Sequence, residues 1–436
     1  MIRFATALFL GTAAALPARA EVDIQTITSP GGINAWLVEE HSLPFIALEI
    51  AFVGGNSLDV EGKRGAINLM TGLLEEGSGD LDARGFARAK EALATSFSFS
   101  SDSEQLSISA RFLTENFDAS VALLRDAMQN PRFDEADIER VRAQVISGLA
   151  FDAKDPNDIA GKTFATMAYG EHPYGTVASG TPESVAALTR DDLVEAHRNV
   201  LVRDRVLVGA VGDITPEQLS SLLDLLLGDL PKSGPMLPPK VEPLIEGGIT
   251  VVEFDTPQSV ALFGQPGIAI DDEDYFAAVL LNQILGGGSF ESRLMQEVRE
   301  KRGLTYGVYS YLHSRDLANA LMGSVSSSND RIAEAITVIK DQWKLASENG
   351  VTEEELRNAK TFLTGAYPLR FDGNGTIAGI LVGMQLIGLE SDYIKTRNER
   401  VERVTLDDVK RVAGELMDPE GLHFVVVGKP EGLAAE

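Results

Sequence analysis

The spacing between hydrophobic residues changes several times along the first half of the chain, from strict alternation to helical spacing. Residues 97–113, FSFSSDSEQLSISARFL, alternate apolar and polar side chains, and this pattern predicts a β-hairpin. The stretches 82–96, 113–131 and 133–153 repeat apolar residues at helical spacing, so we predict a helix in each. Together these elements predict an α+β fold in which helices back one face of a sheet.

The same order of elements occurs twice. LTRDDLVEAHRNVLVRDRVLVGAVG begins at Leu188 and VTLDDVKRVAGELMDPEGLHFVVVG begins at Val404, and one shift carries Gly212 onto Gly428 without a gap. In both stretches, a helix that opens on an Asp-Asp pair precedes an apolar strand that ends in glycine. We therefore predict two homologous domains, each a mainly antiparallel sheet backed by helices, that together form half of a clamshell-like chamber.

A proline-rich stretch separates the two predicted domains. Residues 230–248, LPKSGPMLPPKVEPLIEGG, contain five prolines and little periodicity, which is typical of an extended and semi-rigid linker. This places an N-terminal domain at residues 21–229 and a C-terminal domain at residues 249–436.

The first twenty residues, MIRFATALFLGTAAALPARA, have the pattern of a secretory signal peptide cleaved after Ala20. A membrane anchor is the alternative, but the apolar run is short for a bilayer, and no later run is long enough. The chain has no cysteine, so export favours a bacterial periplasm over a disulfide-rich extracellular setting. A formal net charge of −27 argues against binding to nucleic acid.

The sequence offers little for metal chemistry. A zinc-peptidase helix needs two histidines four residues apart and a glutamate as general base. None of the five histidines shares a helix face with another; they are His41, His172, His197, His313 and His423. We therefore expect no metal site formed by neighbouring ligands, and histidines in structural or surface positions.

Residues 292–312, SRLMQEVREKRGLTYGVYSYL, predict a helix that ends at Gly303 and a strand from about Leu304. Arg299 near the helix end and Tyr306 early in the strand could both reach one cleft, where they would donate hydrogen bonds to a peptide carbonyl or oxyanion. In the alternative, Arg299 only complements the helix dipole and Tyr306 is half-buried. The residues alone leave both interpretations open.

A glycine run at Gly286, Gly287 and Gly288 follows an apolar helix. It lacks the Lys-Ser/Thr of a phosphate-binding loop, so it predicts a helix stop and a tight turn. Its exposed backbone amides could still serve a bound peptide, and we list the three glycines as a candidate substrate-binding loop.

Residues 62–78, GKRGAINLMTGLLEEGS, have the outline of an active-site helix with an apolar stripe between glycines. The polar positions that would face such a site are Asn68, Thr71 and Gly72, and none of them holds a metal well. The pattern therefore predicts a helix that packs through its apolar stripe but has no metal-binding side chains.

ESRLMQEVREKRGLTYGVYS, GEHPYGTVASGTPESVAALTRDDL and FLTGAYPLRFD resemble motifs of the pitrilysin and mitochondrial-processing-peptidase family of zinc metallopeptidases. The resemblance spans about residues 25–430. It places Asn68, Thr71 and Gly72 where the family has its His-x-x-Glu-His motif. It places Ser147 or Gly148 where the third ligand, a glutamate, would stand.

The resemblance implies a division of work between subunits. The family's substrate-binding Arg and Tyr, seven residues apart, match Arg299 and Tyr306, whereas the zinc ligands and the catalytic base are absent. It therefore implies a non-catalytic subunit of a heterodimeric zinc endopeptidase, with zinc in a homologous partner and small unfolded peptides as substrates. A stand-alone peptide-binding or scaffold protein is the alternative.

Overall fold

The computed structural model describes residues 22–288 and 290–433, so the predicted signal peptide lies outside the described residues. The strands of the described residues are β1 Gln25–Thr28, β2 Asn34–Glu39, β3 Phe45–Val53, β4 Gly77–Ser78, β5 Leu81–Asp82, β6 Ser96–Ser101, β7 Gln105–Leu113, β8 Val206–Gly212, β9 Gly248–Glu253, β10 Gln258–Pro266, β11 Val308–Ser314, β12 Asn319–Ser328 and β13 His423–Gly428.

The α-helices of the described residues lie between these strands. They are α1 Ala66–Thr71, α2 Ala83–Ala92, α3 Phe117–Gln129, α4 Glu135–Asp152, α5 Pro156–Tyr169, α6 Pro182–Ala187, α7 Arg190–Val200, α8 Pro216–Leu227, α9 Tyr275–Leu285, α10 Ile332–Asn349, α11 Glu353–Ala366, α12 Asn374–Leu386, α13 Tyr393–Arg403 and α14 Leu406–Leu416.

Two mainly antiparallel sheets confirm the predicted α+β fold. The first has the order β1-β2-β8-β3-β7-β6 and the second the order β11-β12-β10-β13-β9. Each contains one parallel pair, β2 with β8 and β13 with β9, formed by the glycine-ended strand that the duplication predicted. The predicted hairpin is β6–β7, paired from Ser96 opposite Arg111 to Ser101 opposite Leu106.

The helix before each glycine-ended strand begins at a capping box. In α7 the Thr189 hydroxyl accepts from the Asp192 amide while the Asp192 carboxylate accepts from the Thr189 amide at 2.7 Å. Thr405 and Asp408 repeat the arrangement at α14. In both helices, the second residue of the Asp-Asp pair therefore forms the cap together with a preceding threonine. This cap satisfies free amides of the first helical turn.

One helix of each half packs on the sheet of the other half. Helix α5 lies on the second sheet, where Phe164 is so close to Gly264 that a Cβ there would be 2.7 Å from its ring. Helix α12 lies on the first sheet, where a Cβ at Gly209 would be 2.7 Å from the Ala378 carbonyl. These close approaches require glycine, and they join the two halves into one structure.

The segment between α8 and β9 contains no helix or strand and runs along the surface of both halves. Its Leu244 amide donates to the Ala168 carbonyl at 2.8 Å, and its Val241 amide donates to the Leu317 carbonyl at 2.8 Å. The backbone of the proline-rich segment is therefore tied to α5 and to the turn between β11 and β12.

Candidate functional site

Hydrogen bonds from the Gly65 and Ile67 amides to Asp59 hold the start of helix α1, on which the resemblance places the family's zinc motif. The buried Asp59 carboxylate accepts from the amides of Gly65 at 2.8 Å and Ile67 at 2.9 Å, and burial raises the pKa of Asp59 to about 6. Thr71 is 4% exposed, and its hydroxyl donates to the Ile67 carbonyl at 2.7 Å. The side chain at the catalytic-base position is thus directed into the packed helix.

The other positions of the motif carry no metal-binding chemistry. Gly72 ends α1 and is exposed, and a Cβ there would be 3.2 Å from Val141 of α4. Ser147 and Gly148 are exposed further along α4, and a Cβ at Gly148 would meet nothing within 4 Å. The side-chain amide of Asn68 is the nearest substitute for a zinc ligand among the motif positions. The residues at these positions therefore do not fit a zinc site.

Two further absences concern the described residues as a whole. Within residues 22–288 and 290–433, no three His, Asp or Glu side chains lie together in a way that could hold a metal ion. The same residues contain no helix whose length and hydropathy suit a membrane crossing.

Arg299 lies on a helical segment of unusual winding. Met295–Glu300 is a π-helical turn, in which the Lys301 amide donates to the carbonyl of Gln296, five residues back. The Arg299 guanidinium stacks over the Phe290 ring at 4.8 Å from the ring centroid. Among the described residues no carboxylate pairs with it. Such turns often occur at functional sites, and the sequence pattern did not reveal this one.

Tyr306 precedes the strand, which corrects the prediction that the strand begins near Leu304 and includes Tyr306. Strand β11 begins at Val308, and Val308 and Ser310 are buried whereas Tyr306 is 87% exposed. The cause is Thr305, whose hydroxyl accepts from the Gly307 amide at 3.1 Å and donates to the Ser326 carbonyl at 2.7 Å. This local turn projects Tyr306 into solvent and leaves its phenol free of packing.

The glycine run connects α9 to the edge strand β11. The Gly286 carbonyl accepts from the Ser310 amide at 2.8 Å, and a Cβ at Gly286 would be 2.3 Å from the Ser310 hydroxyl oxygen, so only glycine fits. The Gly286 and Gly288 amides donate within the chain, to Asn282 and Gly286. Packing and backbone hydrogen bonds therefore explain the glycines of this turn. A role of Gly286, Gly287 and Gly288 in binding a peptide stays a prediction.

A polar contact that the sequence did not predict joins the turn of the β6–β7 hairpin to the turn of the β11–β12 hairpin. Glu104, between β6 and β7, accepts from the Asp316 amide at 2.9 Å and lies 3.6 Å from the Arg315 guanidinium, between β11 and β12. Tyr174 donates its hydroxyl to Glu104, and Arg315 stacks 3.4 Å above the Tyr174 ring. Burial raises the pKa of Tyr174. We call Glu104, Tyr174, Arg315 and Asp316 the hairpin clamp.

Known proteins resemble both halves of the chain. Residues 37–181 match the family model described as Insulinase (Peptidase family M16), and residues 187–363 match that of the Peptidase M16 inactive domain. The crystal structure of a peptidase M16 inactive domain from Pseudomonas fluorescens has 28% identity and a TM-score of 0.87, and the match covers 95% of this chain and 99% of that one.

Three curated relatives carry different descriptions. The non-peptidase homolog YmxG of Helicobacter pylori is 28% identical over 89% of this chain and 90% of its own length. An uncharacterised zinc protease of Mycobacterium leprae is 30% identical over 90% of this chain and 88% of its own. The beta subunit of the mitochondrial-processing peptidase of Neurospora crassa is 24% identical over 74% of this chain and 71% of its own length. The chain belongs to the M16 family of peptidases, the insulinase family.

Proposed function

We propose that this chain is the non-catalytic subunit of a heterodimeric zinc endopeptidase that cleaves small unfolded peptides. The observation that carries the proposal is a contrast within the chain. The zinc-motif positions on α1 and α4 hold no ligand, whereas Arg299 and Tyr306 keep donor groups that no carboxylate of the described residues engages. The relative described as a non-peptidase homolog supports the first half of that contrast.

The two donors suit the recognition of a peptide bond. The planar guanidinium of Arg299, held over Phe290, can donate two parallel hydrogen bonds to peptide carbonyls. The exposed phenol of Tyr306 can donate to the oxygen that gains negative charge as water adds to the scissile carbonyl. In this proposal a homologous partner with an intact His-x-x-Glu-His helix holds the zinc and activates the water.

The edges of the sheets offer backbone groups for an extended peptide. Strand β6 ends the first sheet close to α1, and β11 ends the second sheet beside the Arg299 segment. An extended chain that pairs with an edge strand gains main-chain hydrogen bonds regardless of its sequence. Two subunits facing each other would enclose the peptide in a chamber, and with the predicted signal peptide the complex would act in the periplasm.

The proposal is tested by purifying this chain alone and together with a homologue that carries the intact motif. We expect the chain alone to bind no stoichiometric zinc and to cleave no peptide, and the pair to contain one zinc and to cleave. One equivalent of zinc in the chain alone would overturn the proposal. If no such homologue forms a complex, the chain is instead a stand-alone peptide-binding or scaffold protein.

A further inference from the structure

The two halves contain corresponding cavities with opposite chemistry. One cavity lies between the end of α4, helix α5 and the loop before α6, and it has a volume of about 1000 Å³. The other lies between residues 367–371, α12 and the start of α13, and it has a volume of about 500 Å³. A shift of 218 residues (374 − 156) carries the start of α5, Pro156, onto the start of α12, Asn374, and it carries Gly161 of the first cavity onto Gly379 of the second.

The side chains at the corresponding positions differ in charge and size. By the same shift, Asp152 in the first cavity corresponds to Arg370 in the second. The first cavity is lined by two aspartates and Lys162, whereas the second is lined by two arginines and no carboxylate.

The two arginines of the second cavity have no counter-ion among the described residues. Arg397 donates to the Leu363 carbonyl at 2.8 Å and the Asn398 amide oxygen at 3.0 Å, and it stacks over Tyr367 at 4.6 Å. Arg370 is exposed and forms no ion pair in the described chain. In a protein with 65 acidic and 38 basic residues, two such arginines side by side are an unusual local excess of positive charge.

The rest of the lining is aromatic and aliphatic. Phe276, Phe371, Ile380 and Met384 form apolar walls, and the half-buried phenols of Tyr275 and Tyr393 lie beside the arginines. A cavity of this volume takes a ligand of about the size of a blocked dipeptide. The Arg forks match the geometry of a carboxylate, and the walls match an apolar body attached to it.

We propose that this cavity, defined by Arg370, Arg397, Tyr393 and Phe371, binds a carboxylate carried on an apolar group, such as the C-terminal residue of a short peptide. The cavity lining includes neither Arg299 nor Tyr306.

The experiment is calorimetric titration of the purified chain with acetyl-Leu-Phe bearing a free C-terminal carboxylate. The C-terminal amide of the same peptide and inorganic phosphate serve as parallel probes. We expect the acid to bind at least tenfold more tightly than the amide, because each charged hydrogen bond discriminates by about this factor. Phosphate should bind more weakly than the acid, because it has no apolar body.

The decisive variant is Arg370→Gln, since Arg370 is exposed and its removal leaves the fold intact. It should weaken binding of the acid about tenfold without changing the melting temperature. Arg403→Gln removes the same charge from the far end of α13, where Arg403 pairs with Glu399, and should bind like the parent. Equal affinity for acid and amide, phosphate binding as tightly as the acid, or an unchanged Arg370→Gln affinity would each overturn the proposal.

Discussion

Single side chains explain why α1 has a structural role here. Thr71, which the resemblance places at the catalytic-base position, is buried, and its hydroxyl donates to the Ile67 carbonyl. Gly148, one of the two residues that the resemblance places at the third-ligand position, faces open space. We therefore expect a larger, charged side chain to be tolerated at Gly148 but not at Thr71, although the family has an acidic residue at each of the two positions.

Thr71→Glu should destabilise the protein by about 2–4 kcal/mol, because it buries a carboxyl group without a partner and breaks the bond to Ile67. Gly148→Glu is the matched control, since the same side chain enters open space and replaces a helical glycine. We expect it to change stability by less than about 1 kcal/mol. Urea unfolding of both variants measures the difference, and equal stabilities would contradict the burial of Thr71.

At the scale of elements, the sequence predicts best what is local. The β6–β7 hairpin follows from strict alternation, and α7 and α14 follow from their acidic first turns. The place of Tyr306 outside β11 was missed because a threonine hydroxyl ends the pairing, and side-chain turns leave no periodic signal. The crossing of α5 was missed because an apolar helix face does not reveal which sheet it covers.

The hairpin clamp lies at the same scale, since it joins two turns that are far apart in sequence. Glu104→Ala should lower the free energy of unfolding by about 2–4 kcal/mol, because it leaves the buried Tyr174 hydroxyl and the Arg315 guanidinium without their shared acceptor. Glu115→Ala, at an exposed site in the same half, is the control. Denaturant unfolding followed by tryptophan fluorescence would detect the shift, and an unchanged midpoint would show that the clamp adds no stability.

The whole molecule is a duplicated unit whose halves have diverged in chemistry. The exchange of α5 and α12 between the sheets makes one body from two copies. Within that body, the first half retains the packing of α1 without metal ligands, and the second half carries Arg299 and Tyr306 beside an edge strand. The proposed division of work between subunits follows from this divergence, because the described residues of both halves contain no cluster that could hold a metal ion.

Peptide cleavage by the complex of this chain with a zinc-binding homologue tests that division most directly. Arg299→Ala and Tyr306→Phe in this chain should each lower kcat/KM by about a hundredfold, the usual loss on removing one donor to an oxyanion. Tyr309→Phe, on the neighbouring strand and 48% exposed, should leave the rate unchanged. Zinc content and complex formation should stay constant in all three. Undiminished cleavage by the Arg299→Ala and Tyr306→Phe complexes would contradict the proposed role of this chain.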